Sequence, residues 1–183
     1  MKDPLSRKAK KVQDHIRNKG FEFVVRELPD STRTAKDAAK ALGCTTAQIA
    51  KSLVFKDKAL DEPILVIASG INRVGLEKIK QATGRTLVQA DGKFVKDRVG
   101  FAIGGVPPVG HDERLVTLLD PDLKQYDRIW AAAGTPNAVF ELKPADLEPL
   151  TDGAWIDLKA AILNLGNDVQ KNCRQQKPSL LIA

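Results

Sequence analysis

The segment Gly100-Phe101-Ala102-Ile103-Gly104-Gly105-Val106-Pro107-Pro108-Val109-Gly110 constrains this chain more than any other. Glycine relaxes the backbone and proline removes donors and fixes φ, so a mixture this dense fits neither helix nor strand. It must be a shaped loop, and regular elements have to be found on either side of it. Glycines there let backbone N–H groups approach a ligand closely while the two prolines hold the shape, which suits an oxyanion or phosphate. A purely structural turn is the other reading. The segment lacks the GxxxxGK[ST] pattern of a phosphate loop, and no cofactor is expected.

Before the loop, Leu5, Ala9, Val12 and Ile16 recur at helical spacing, with Lys8, Lys10, Lys11, Arg17 and Lys19 off that stripe and Gly20 as a stop. Phe21 to Glu27 reads as a strand ended near Pro29. Thr34 can cap a helix over Ala35–Leu42 stopped by Gly43, and a short helix starts at Thr46. Ser52–Phe55 and Pro63–Ser69 form a hairpin across the turn Lys56-Asp57-Lys58. Asn72 can cap a helix through Val74, Leu76, Ile79 and Ala82 to Gly84, and Asp91 to Val99 is a weaker helical stretch. After the loop, Arg114–Leu119, Arg128–Ala133, Ala138–Leu142 and Trp155–Leu158 are strand-like, with a short helix opened by Pro144. This order predicts an α+β fold, a single domain with a mixed, barrel-like sheet surrounded by helices, rather than regular βαβ alternation.

The 183 residues, 43% hydrophobic and 28% charged, fit one soluble globular domain. The longest apolar run, Ile64–Ala68, is far short of the roughly 20 residues of a membrane-spanning helix. The N-terminus is basic without an apolar stretch behind it, so a secretory signal is not expected and a cytoplasmic location is. Cys44 and Cys173 lie 129 positions apart without a C-x-x-C partner, and the chain has two histidines, His15 and His111. No metal site, disulfide framework or thiolate nucleophile is expected. There is no G-x-S-x-G elbow, so a hydrolase built on this chain would use water directly.

Charge divides unevenly. Residues 1–20 hold seven basic and two acidic side chains, +5; residues 159–183 hold four and one, +3; and residues 21–158 hold 18 against 20, −2. Basic ends on a mildly acidic body fit a polyanionic partner held at the termini, or simply solvated helix faces. The organisation expected is a basic N-terminal helix (1–20), a central domain (21–158) and a C-terminal extension (159–183) with helical periodicity around Ala160, Ile162, Leu163 and Val169 and a polar stretch compatible with partial disorder.

Several residues are candidates for chemistry. Lys51 stands where a short helix passes into a strand, a junction that can project a cation into a cleft; a solvated lysine is the plain alternative. Gly134-Thr135-Pro136-Asn137 either shapes a pocket wall or makes a hairpin connection. His111 follows the Gly/Pro loop, where it either meets a phosphate or moves a proton, or is solvated. Cys44 fits a small buried hydrophobe.

Taken in order, Ala50-Lys51-Ser52-Leu53-Val54-Phe55, then Gly104-Gly105-Val106-Pro107-Pro108-Val109-Gly110-His111, then Gly134–Asn137, and Pro144-Ala145-Asp146-Leu147 before Trp155-Ile156-Asp157, the chain resembles the YbaK/ProX family. Those proteins are freestanding relatives of the editing domain inserted in bacterial prolyl-tRNA synthetase. The resemblance covers about residues 21–158 and implies hydrolysis of the ester joining a wrong amino acid to the 3′ end of tRNA. By resemblance Lys51 is the catalytic lysine, the loop Gly104, Gly105, Val106, Pro107, Pro108, Gly110 and His111 binds substrate, and Gly134, Thr135 and Asn137 belong to the pocket wall. The substrate's ribose 2′-hydroxyl is expected to orient the water. Ser52 after the lysine and Thr135-Pro136 in the second turn depart from some relatives and leave amino-acid preference open. The expected substrate is mischarged tRNA-Pro carrying a small amino acid such as alanine or 2-aminobutyrate, with Lys8, Lys10, Lys11 and Arg17 on the tRNA and prolyl-tRNA synthetase as a further partner. A non-catalytic aminoacyl-tRNA- or synthetase-binding module of the same fold is the alternative, and a small-metabolite hydrolase a third.

Overall fold

A computed structural model describes residues 5–161. The first helix, α1 (Arg7–Asn18), begins at Ser6, whose hydroxyl accepts from the Ala9 N–H, and its stripe Ala9, Val12 and Ile16 is fully buried. The following segment, Phe21 to Val25, is extended but joins no ladder; only β1 (Arg26–Glu27) pairs. The buried amide of Gln13 replaces a strand partner there, donating to the Phe23 carbonyl and accepting from the Val25 N–H at 2.8 Å each. Phe23 stacks between Phe21 and Phe140, which ties the segment to the core by its rings.

Helix α2 (Ala35–Leu42) runs from the Thr34 cap to Gly43, which takes the left-handed conformation as the sequence predicts. Strands β2 (Ile49–Asp57) and β3 (Pro63–Ser69) make the antiparallel hairpin. Then come α3 (Leu76–Thr83), β4 (Leu87–Gln89) and α4 (Gly92–Val99), capped by the Asp91 carboxylate. Beyond the Gly/Pro loop lie β5 (Val116–Leu119), β6 (Ile129–Ala132), β7 (Ala138–Leu142), α5 (Leu147–Thr151) and β8 (Ala154–Trp155). The helix expected from Asn72 starts later, after Gly75, because the Asn72 side chain is used elsewhere. The periodicity around Ile162, Leu163 and Val169, and Cys173, lie outside the described residues.

Eight strands form one sheet in the order β1-β7-β6-β2-β3-β5-β8, with β4 added beside β2. Pairs β2–β6, β3–β5 and β5–β8 are parallel and the others antiparallel, so the sheet is mixed. Its end strands β1 and β8 do not pair with each other. All seven residues of β3 are buried, which requires cover on both faces. Leu65 and Ile67 face a large core with α1, α4 and α5, while Ile64, Val66 and Ala68 face a smaller one with Ile79 of α3. Among the described residues no helix is long and apolar enough to cross a membrane.

Candidate active site

The site originates in a split of the sheet beside β2. On one edge β2 is paired with β3 from Ala50 to Lys56. On the other, β6 pairs only with Ile49 and Ala50, and β4 only with Phe55 to Asp57. The Asp57 N–H points to the β3 side, at Glu62, and the Lys58 N–H to the β4 side, at Thr86. Strand alternation therefore turns the backbone N–H and C=O of Ser52 toward the open stretch. A cavity of about 390 Å³ lies there, within the usual size of ligand pockets. Ala35, Ala38 and Leu42 of α2 form one wall, Ile103, Gly104 and Val106 of the loop another, and Trp130 to Ala132 of β6 a third. Thr32, Arg33 and Thr34 complete it.

Lys51 lines this cavity, half-buried, with its ammonium donating to the Asn72 carbonyl at 2.5 Å and the Gly70 carbonyl at 3.4 Å. An ammonium has three donors, so among the described residues one is left unused. Burial pushes the Lys51 ammonium below the usual lysine range; Asp120 opposes that shift and Arg73 adds to it. The adjacent Ser52 carries the one buried side-chain oxygen among the described residues that has no hydrogen-bond partner. An orphan of this kind next to a cavity calls for an explanation, since most buried polar atoms are paired.

The Gly/Pro loop reaches the cavity at Ile103, Gly104 and Val106. Gly104 has φ +89°, and a Cβ there would lie 2.6 Å from Arg33 Cγ. Gly105 packs backbone to backbone on Thr135, where a Cβ would come within 2.8 Å of the Thr135 carbonyl carbon. Pro107 and Pro108 are buried. Gly110 rests against Val12 of α1. His111 does not line the Lys51 cavity; it lies in a groove shared with His15 and Gly110. Its Nε2–H donates to the Pro107 carbonyl at 2.8 Å. Burial pushes its pKa down to about 4, so the ring is neutral near pH 7 and serves as a clasp for the loop.

The Gly134–Asn137 turn backs the cavity rather than lining it. Gly134, at φ +97°, fits between the Lys8 carbonyl and the Phe101 ring; a Cβ there would lie 3.0 Å from each. The Thr135 hydroxyl accepts from the Ala138 N–H, and Asn137 donates from Nδ2 to the Leu28 carbonyl. The Pro136 carbonyl accepts from both the backbone and the hydroxyl of Thr32, which does line the cavity. On α1, the Lys8 and Lys11 ammoniums lie 5.7 and 5.5 Å from the Phe101 ring centre. Lys11 also pairs with Asp112 at 2.5 Å, and Lys10 and Arg17 are exposed.

The structure thus places Lys51 on one cavity with Gly104, Val106 and Thr32, and Thr32 ties that cavity to the second turn. Sequence reasoning did not point to Thr32, Arg33 or Trp130; no motif marks them, and only pairing of distant strands brings them to Lys51. Ser52 was legible as a departure but not as an orphan. Among the described residues no group of three side chains is placed to hold a metal. Cys44 is a free, half-buried thiol whose pKa is pushed up by burial, unsuited to act as a nucleophile.

The sequence pattern of the aminoacyl-tRNA editing domain matches residues 29–150, 122 of the 183 residues. The chain belongs to this family, the YbaK-type editing domains. It is 32% identical over 152 residues to the uncharacterized protein YwhH of Bacillus subtilis (strain 168), covering 81% of this chain and 95% of that protein. It is 26% identical over 147 residues to EbsC of Enterococcus faecalis, a proposed Cys-tRNA(Pro)/Cys-tRNA(Cys) deacylase, covering 80% of this chain and 87% of EbsC. A solved structure described as a proposed trans-editing enzyme for prolyl tRNA synthetase superposes with a TM-score of 0.81 at 46% identity, covering 86% of this chain and all of that one.

Proposed function

We propose that this protein is a trans-editing aminoacyl-tRNA deacylase that removes a small amino acid, alanine or 2-aminobutyrate, from mischarged tRNA-Pro. The observation carrying this reading is the half-buried Lys51 ammonium with one donor to spare, beside the open edge at Ser52. An aminoacyl ester is already activated, so positioning it and stabilising the developing oxyanion are enough for water to attack. Water adds to the ester carbonyl; the C–O bond to the ribose breaks; the free amino acid and a 3′-hydroxyl leave. In this scheme Lys51 takes the oxyanion or terminal phosphate, and Ser52 and the Gly104 backbone hold the aminoacyl group. The remaining loop and turn residues hold these groups in place, and Lys8, Lys10, Lys11 and Arg17 attract the tRNA body. Prolyl-tRNA synthetase is a partner in the cytoplasm, as the source of the mischarged tRNA.

The apolar walls Leu53, Ile103 and Val106 leave room for a small side chain. One methylene in such a pocket changes binding by only about 1–3 kcal/mol, so selectivity among small residues is partial. The name of the Enterococcus relative makes cysteine the competitor to include. The test is multiple-turnover hydrolysis of alanyl-, 2-aminobutyryl-, cysteinyl- and prolyl-tRNA-Pro. Ester loss with preference for the first two is expected. Protection of the ester would show a binding module instead, and prolyl-tRNA hydrolysed as fast as alanyl-tRNA would overturn the pocket argument.

A further inference from the structure

Lys51 is held by two carbonyls of the turn Gly70–Asn72, so it is placed only as well as that turn is. The turn is clamped from both sides. At Gly70 a Cβ would lie 2.1 Å from the Thr46 carbonyl oxygen, so the backbone there sits directly on the short helix before β2. At Asn72, 6% exposed, the side-chain Nδ2 donates to Asp120 Oδ2 at 2.8 Å and to Asp122 Oδ2 at 2.9 Å.

Asp120 is the centre of this arrangement. It follows β5, is 1% exposed, and its own N–H is bound to the Ile67 carbonyl of β3. Its carboxylate accepts from the Ser69 N–H, the Asn72 amide and the Asp122 N–H at 3.0, 2.8 and 3.0 Å, all amide donors. Three N–H donors favour the charged form of this carboxylate, and a neutral amide in its place would set an NH2 against one of them. The charge has a purpose if it acts on a cation one hydrogen-bonded step away. Lys51 is such a cation, and the Asp120 charge also acts on Lys159, which is bound to Asp122.

We propose that Asp120 is a positioning residue for Lys51, acting through Asn72 to fix the carbonyls that hold the ammonium and through its charge to keep that ammonium protonated. The charged groups around Lys51 support the assignment. Arg73 opposes protonation, and Arg33 adds a second cation on the same cavity. The Asp122 charge is taken by Lys159 at 2.7 Å. Asp120 is left as the anion that offsets burial. The rate readout rests on the deacylase reading; the placement and protonation of Lys51 do not.

The test is Asp120→Asn in the full chain, read in two ways. NMR titration of 13Cε-labelled Lys51 needs no substrate and is expected to show a lower pKa than in the parent. Deacylation of alanyl-tRNA-Pro is expected to fall about 10- to 100-fold in kcat with KM nearly unchanged, the loss typical of a misplaced group. The alkaline limb of its pH profile moves down with the NMR value. Ile79→Val, a core change matched for lost stability, is expected to leave that limb in place. An unmoved Lys51 titration in Asp120→Asn overturns the proposal, as does an equal limb shift in Ile79→Val. If Asp120→Asn does not fold, Asn72→Ala retains the carboxylate and cuts the link: reduced kcat supports the proposal and full activity overturns it. A parent protein inactive on every tRNA, with Lys51 still shifting in Asp120→Asn, would sink the deacylase reading and support this one.

Discussion

Lys51 and Ser52 are neighbours on β2 whose polar atoms are met very differently. The Lys51 ammonium has two carbonyl partners, whereas the buried Ser52 hydroxyl has none. Leaving a buried hydroxyl unsatisfied costs about 1–3 kcal/mol, and an apolar group of similar shape removes that cost. Ser52→Ala is therefore expected to hold or raise the melting temperature while lowering kcat/KM for alanyl-tRNA-Pro. Lower stability with full activity would mean the hydroxyl is a structural group. In the proposed mechanism Lys51→Ala removes a donor used in the transition state, and loss of one such donor typically costs a factor of about 10²–10³ in kcat. Its melting temperature is expected to hold at pH 7, since a partly desolvated cation leaves with it. In the proposed mechanism Lys51 acts as an ammonium, and that sets the sign of the pH dependence. Its pKa is lowered by burial, so activity is full below that pKa and falls as pH rises through it, earlier than the ~10.4 of a free lysine. Lys51→Arg stays charged throughout this range, and its residual activity is expected to lose the alkaline limb.

At the scale of elements, loop and turn are one unit. Gly105 meets Thr135 backbone to backbone, so Gly105→Ala forces Gly104 and Val106 out of the cavity wall. Overpacking of this kind typically costs about 1–3 kcal/mol. Both melting temperature and kcat are expected to fall, whereas Val106→Ala, which leaves the loop backbone alone, is expected to alter mainly amino-acid preference. An active, stable Gly105→Ala would detach the loop from the site. The hairpin β2–β3 and the helices α1, α2 and α4 were legible because caps, glycine stops and periodicity are local signals. The extended segment before β1 looked like a strand, but a glutamine from α1 satisfies its backbone. The three-residue β4 has too few positions to show a period, and Asn72 read as a cap because nothing local reveals a carboxylate 48 positions away. The lysine and the loop were likewise visible, while the open edge between β6 and β4 arises only from pairing of strands far apart in the chain.

Across the whole molecule, charge and packing meet at α1. The helix carries much of the +5 of residues 1–20, yet its apolar stripe is fully built into the core, so its cations are presented on a fixed face and not on a detachable arm. The helix is joined to the cavity by the loop, since Gly110 rests on Val12 of its buried stripe and Gly104 reaches the site. With the body at −2, the proposed tRNA substrate would gain attraction chiefly from the ends. The cations of α1 are not equivalent: Lys11 is paired with Asp112, while Lys10 is exposed. Each phosphate contact contributes about 0.7–0.9 to the slope of log affinity against log salt. Replacing Lys8 and Lys10 by Gln is expected to weaken tRNA binding and flatten that slope by about 1.5 units, two contacts' worth. Adding Lys11→Gln is expected to change it little, and Asp112→Asn, which frees Lys11, to steepen it. Hydrolysis of a short aminoacyl-adenosine analogue, which does not reach the helix, is expected to stay the same in all of these variants. A salt slope unaltered by the double replacement would make these lysines a solvated face and place the tRNA elsewhere on the surface.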